Sequence, residues 1–353
     1  MGGIEKMKTE AFGKTSAGVE ASLYTLENAN HTLVKVTDYG ATLVSILFTD
    51  GDGKERDLIL GYDDVTGYEE HTCFFGATIG RNGNRIAEGK FSINGVEYQL
   101  DQNENENNLH SGKHGFDGVL WKVKERSEDS ITFYHYSSKE EQGFPGNMDV
   151  TVKFTIDGED TLHIAYDAKA DEDTVMNFTN HTYFNLGGHD SGNVYNHFLQ
   201  LMSDTYNPVI DSKSIPTGEN APVAGTPMDF TQPKKIGQDI DADFEQLKFT
   251  KGFDHNYVLS EKPGEMKLAA KVACPESGVR MDAYTDCCAI QFYAGNFIGE
   301  QTGKGGVAYG DRHGLCLESQ FCPNAVNDPN FVSPVVAANT PYHSETKYHF
   351  YHM

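Results

Sequence analysis

Apolar and polar residues alternate along most of this chain with the two-residue period of strands, not the 3.6-residue period of helices. KVTDYGATLVSILF at 35–48 is the first clear run, and GKFSINGVEYQL at 89–100 carries Asn94-Gly95 between two β-rich halves. That dipeptide suits the two positive φ angles of a type I′ turn, so a tight hairpin is expected there. ITFYHYSS follows, then VTVKFTIDGEDTLHIAYDAKA with a turn expected at Asp157-Gly158, then MKLAAKVAC and VRMDAYTDCCAIQFYAGNF. Helical spacing is rare, and DADFEQLKF at 241–249 is its best example.

No fixed-period repeat, low-complexity linker or break in composition divides the chain. Residues 1–353 are therefore read as a single all-β domain, a large antiparallel β-sandwich. The one tryptophan, Trp121, is expected to anchor core packing. The Pro- and Gly-rich stretch 207–233 is expected to decorate the sheets and help build a site, and GKGGVAYG at 303–310 to form a mobile glycine loop.

Charge narrows the partners. With 52 acidic and 28 basic side chains the net charge is −24, which repels polyanions, so neither nucleic acid nor an anionic membrane is an expected partner. The start, MGGIEKMKTE, has no apolar signal segment and puts Lys6 where a myristoylation signal takes Ser or Thr. A soluble, cytoplasmic protein is expected. Its six cysteines form no CxxC pair, so reduced thiols are expected, and the sequons at Asn30, Asn177 and Asn180 carry no weight without secretion.

Familiar catalytic motifs fail. DQNENENNL alternates Asp101, Asn103 and Asn105 like a calcium loop, but Glu106 stands where the sharp turn takes Gly. No HExxH, Walker loop, GxGxxG or GxSxG is present. What remains are polar residues in otherwise β-like or turn segments: Asn84 and Arg85 in GRNGNRIA, His110 in NNLHSG, His181 and Tyr183 in TNHTYFNL, Asp254 in GFDHNYVL, Gln291 in QFYAGNF and Glu318 in LESQFCPNAVN. Each alone has an ordinary structural explanation as a turn residue, a surface ion-pair partner or a strand-edge charge.

Together with PVAGTPMDF, these segments in this order and at these separations resemble the aldose 1-epimerase (galactose mutarotase) family, from about Tyr39 nearly to the C-terminus. Gly83, Ser111 and Asn324 depart from the usual pattern. The resemblance implies a galactose mutarotase-like supersandwich whose concave face holds a small-molecule aldose, with no metal or organic cofactor and a monomer or homodimer as the assembly. It implies Glu318 as the base at the anomeric hydroxyl and His181 as the acid at the ring oxygen. Asn84, Arg85, His110, Asp254 and Gln291 are the implied hydroxyl-binding set, and Tyr183, with Phe292, an apolar face for the sugar.

The residue types suit that chemistry. Changing an anomer requires the anomeric hydroxyl to lose a proton while the ring oxygen gains one, with no redox change. A carboxylate accepts a proton well, and an imidazolium, with an unperturbed pKa of ~6.5, donates one near neutrality. A charged His181 is accordingly expected, held by a nearby carboxylate; Asn180 and Thr182 offer local hydrogen bonds to fix its ring, although in an alternating strand they point away from it. A hexose-6-phosphate 1-epimerase, a two-carboxylate glycoside hydrolase and a noncatalytic sugar-binding protein are the rival readings.

Overall fold

The computed structural model describes residues 7–70, 73–139 and 141–352; the first six residues, read above for a leader, lie outside it. Strands dominate, and every strand ladder is antiparallel. The largest sheet has nine strands in the order Lys122–Arg126, Ser130–Ser137, Met148–Ile156, Thr161–Ala170, Tyr342–His352, Val279–Thr285, Lys267–Ala273, Phe198–Leu201 and Lys234–Lys235. Burial alternates residue by residue along its central members, as one apolar face against a core requires.

Two five-stranded sheets complete the sandwich. One is built from the N-terminal strands between Lys8 and Asp57, and the other is ordered Ala221–Pro222, Thr205–Tyr206, Asp254–Val258, Ala289–Tyr293, Cys316–Gln320. Their inner side chains meet those of the nine-stranded sheet in one core cluster that includes Ile46, Phe48, Phe154, Ile290, Phe292, Leu317 and Phe350. Phe48 packs on Phe350 at 6.2 Å between ring centroids, and the Tyr348 hydroxyl donates to the Leu317 carbonyl at 2.9 Å. Each such side chain contributes roughly 1.5–3 kcal/mol by leaving water.

The expected hairpin forms: Lys90–Ile93 pairs with Val96–Gln99, and Asn94 and Gly95 take φ 53° and 79°. The second turn is longer than Asp157-Gly158, running over 157–160 with Asp160 as its left-handed residue at φ 57°. The Asp157 carboxylate accepts from the Glu159 and Thr161 amides and shapes that wider turn. DADFEQLKF yields a helix only over Glu245–Thr250. Trp121 is buried edge-on to Phe116 and donates its indole N–H to the Phe116 carbonyl. The GKGGVAYG stretch is anchored at one point, where the buried Lys304 ammonium donates to Asp57 and to the Val44 carbonyl at 2.6 and 2.8 Å. No helix among the described residues is long and apolar enough to cross a membrane.

Strand parity positions the site. Asp254 pairs with Tyr293, Asn256 with Gln291, and Gln291 with Glu318, so these side chains share one face of the smaller sheet. Phe292 and Leu317 point the other way, into the core. Phe292 is fully buried, stacked on Phe253 and edge-on to Phe230, so it offers the sugar no surface. Phe292→Ala is expected to cost about 3–5 kcal/mol in urea unfolding; a loss under about 1 kcal/mol contradicts this placement.

Candidate active site

On that shared face lies a cavity of about 310 Å³ lined by Asn84, Arg85, His110, His181, Tyr183, Asp254 and Glu318. Segments separated by more than 200 positions converge there. Gln291 stays behind the wall: its amide donates to the Asp254 carboxylate at 2.7 Å and its oxygen accepts from Gln320 at 3.3 Å. It is not among the lining residues and braces the Asp254 carboxylate instead.

His181 follows the short strand Thr179–Asn180, which pairs with Thr78–Ile79. Gly76 docks this segment, donating its N–H to the His181 carbonyl and accepting from the Leu43 amide and the Asn180 side chain. Only glycine fits, since φ is 65° and a Cβ would sit 1.8 Å from the Leu43 carbonyl oxygen. The Thr182 hydroxyl donates to the Asn180 side chain, which in turn donates to the Gly76 carbonyl, and neither bonds to the His181 ring, because neighbours along an extended chain face opposite ways. The ring is instead stacked on Tyr183 at 5.1 Å and Phe74 at 5.8 Å, with the Cys316 thiol 3.5 Å from Nδ1.

Nε2 of His181 lies 3.7 Å from Oε2 of Glu318, and that oxygen has no hydrogen-bond partner in the protein although the residue is 97% buried by its 3% exposure. Burial raises the Glu318 carboxyl to about 8, helped by the Asp254 charge and opposed by Arg85. Burial likewise lowers His181 to about 4, its own backbone opposing and Arg85 assisting. The expectation of a standing imidazolium is thus corrected. Burial pushes both groups toward their neutral forms, a protonated Glu318 and an uncharged His181.

His110 and Asn84 brace one another, both in left-handed backbone. The Asn84 amide donates to Nδ1 of His110 at 3.1 Å and the His110 amide to the Asn84 carbonyl at 3.0 Å. Burial, then the neighbouring His181 and Arg85, keep His110 neutral, so Nε2 carries its proton and serves as a donor. That tautomer matters because ligand atoms of His110, His181 and Glu318 lie within 4.8 Å of one another, close enough to suggest a metal. Neither His110 nitrogen has a lone pair to spare, so the trio is better suited to proton exchange and hydrogen bonding.

Two arginines of GRNGNRIA have separate tasks. Arg81 is fully buried and donates to Ser137 and to the Ser137, Ser138 and Pro145 carbonyls, which is a structural role. Arg85 reaches the cavity, held by Glu104 through two bonds of 2.6 and 2.7 Å. Among the lining residues missed from sequence are Glu104, Phe74, Tyr293 and Phe297. Phe74 and Tyr293 look like core aromatics, and Glu104 sits in the discarded calcium-like loop.

A buried carboxyl beside a buried imidazole in a polar cavity on a β-sandwich scaffold is an arrangement suited to enzymatic acid–base chemistry. Residues 22–349 match the family model described as aldose 1-epimerase. The chain is 40% identical to the galactose mutarotase of Mus musculus over 318 residues, 90% of each chain. It is 37% identical to the aldose 1-epimerase of Escherichia coli (strain K12) over 330 residues, 93% of this chain and 94% of that one. A galactose 1-epimerase structure from Lactobacillus acidophilus NCFM superimposes with a TM-score of 0.83 at 28% identity, covering 98% and 99% of the two chains. The chain belongs to the aldose 1-epimerase family and is an isomerase that interconverts the anomers of an aldose.

Gly76→Ala is expected to displace the His181 segment and lower kcat on the order of 10²-fold by polarimetry. An unchanged kcat would show that the segment does not depend on this close approach.

Proposed function

We propose that Glu318 and His181 are the acid–base pair with which this enzyme interconverts the α and β forms of a free hexose, galactose or glucose. The observation that carries the reading is the unpartnered Glu318 oxygen 3.7 Å from His181, deep in the cavity. A buried polar atom without a partner is costly unless a ligand supplies one, and a sugar hydroxyl does so.

The steps balance with one shared proton. When the ring form binds, the proton on Glu318 passes to His181; opening the ring then moves the anomeric proton to the Glu318 carboxylate while His181 protonates the ring oxygen, and leaves Glu318 protonated and His181 neutral. This is also the protonation state that burial favours in the free cavity, so the site is matched to the open-chain aldehyde. Closing on the other face of C1 reverses both transfers. Asn84, Arg85, His110 and Asp254, with Gln291 behind Asp254, hold the remaining hydroxyls while C1 rotates, and Tyr183 supplies apolar surface.

A neutral sugar is favoured over a sugar phosphate because Arg85, the one arginine or lysine lining the cavity among the described residues, already forms two bonds to Glu104. The proposal extends to a cytoplasmic setting, supported by six unpaired cysteines, and to a monomer or homodimer. It also takes residues 1–353 as one domain, supported by a core cluster that runs from Tyr24 to Phe350.

Glu318→Gln and His181→Asn are each expected to cut turnover by about 10²–10⁴-fold in polarimetry of fresh α-D-galactose or α-D-glucose, with the urea midpoint preserved. Near-normal rates in both variants would remove the assignment. The pair carries a single proton between the pH where His181 gains one and the pH where Glu318 loses one. Activity should therefore hold between about 4 and about 8 and fall on either side. A profile flat up to pH 10 would contradict it.

A further inference from the structure

The acidic loop 101–107 resembles a calcium loop in sequence, yet its polar groups are spent internally. Asn103 exchanges two hydrogen bonds with the Leu109 backbone, the Asp101 carbonyl accepts from Asn108, and the backbones of Glu104 and Asn107 bond to each other. Glu106 pairs outward with Lys213. Glu104 alone turns to the cavity, where Nε and Nη2 of Arg85 meet its two oxygens.

A guanidinium in a cavity that also holds Asp254 and Glu318 has three carboxylates to choose among. Paired to Glu318 it would occupy the acceptor that the sugar needs and hold that carboxyl ionised. The Glu318 oxygen is instead unpartnered, and Arg85 is committed to Glu104. We propose that Glu104 is a positioning residue that holds Arg85 away from Glu318, keeping the Glu318 carboxyl free for the substrate and for proton exchange with His181. This rests on the reading of Glu318 and His181 as the acid–base pair.

The groups facing Glu318 fix the sign of the effect. Asp254 approaches from the same sheet, two strands away, and His181 and Arg85 also line the cavity around it; the phenols of Tyr183 and Tyr348 and the thiol of Cys316 are kept neutral by burial. His110 is neutral. Arg85 is thus the one fixed positive charge whose approach changes when Glu104 is lost. Bringing it nearer favours the ionised carboxyl, so the alkaline limb of the rate profile moves to lower pH.

Glu104→Gln keeps the shape of the side chain and removes its charge. It is expected to lower kcat/KM by about tenfold or more on galactose and to move the alkaline limb downward. In an Arg85→Ala background the same change is expected to cost less than about twofold, since the partner through which Glu104 acts is gone. Glu106→Gln, which breaks only the outward pair to Lys213, is expected to leave activity unchanged. Equal losses from Glu104→Gln with and without Arg85, an unmoved pH limb, or an equal loss from Glu106→Gln would each overturn the proposal. The Arg85 Nε–H resonance, assigned by its absence in Arg85→Ala, reads the pairing without reference to turnover. It should be protected from solvent exchange in the parent and exposed in Glu104→Gln, and persistent protection would overturn the inference even if the parent proved inactive on both hexoses. Parent inactivity would by itself sink the hexose reading, whereas a normal parent with an indifferent Glu104→Gln would sink only this one.

Discussion

A carboxyl group walled off from water, with one oxygen that no protein donor reaches, is the constraint around which this molecule is arranged. Burying a carboxylate without a partner costs several kcal/mol, and the fold meets that cost by keeping Glu318 protonated. Everything near it respects the same condition. Asp254 adds negative potential, Arg85 is held by another carboxylate, and His110 is kept neutral by burial. A large apolar interior is what makes such a site tolerable. The strand carrying Glu318 is buried along its whole length, with Leu317 on the core side and Glu318 on the cavity side.

Much of the architecture is legible in local patterning, because a two-residue period dictates which side chains face a core. The hairpin at Asn94-Gly95 is local chemistry and appears where expected. The order of the nine-stranded sheet is not local. Tyr342–His352 inserts between Thr161–Ala170 and Val279–Thr285, a pairing chosen by tertiary packing that no window of sequence contains.

The site divides the same way. Ordered motifs point to seven residues that do line one cavity, but Gln291 and Phe292 are adjacent in a strand and cannot both face it. Phe292 went to the core, and Gln291 became the support of Asp254. The protonation state was beyond reach from sequence, since a model-compound value for histidine contains no desolvation. Glu104 was hidden for a related reason. A glutamate in an acidic, asparagine-rich loop is unremarkable until the fold brings Arg85 to it across nineteen positions.

The chain's net charge of −24 and its sequestered arginine point to the same kind of ligand. An acidic surface slows the approach of a phosphorylated sugar and is indifferent to a neutral one. Inside, a free cation would attract phosphate but would also bind the very carboxyl whose proton must move. Tying Arg85 to a third carboxylate leaves its remaining N–H available to a hydroxyl while limiting its pull on Glu318. On the proposed reading of Glu318 and His181, selectivity for an uncharged substrate and the freedom of the proton on Glu318 would both come from one ion pair.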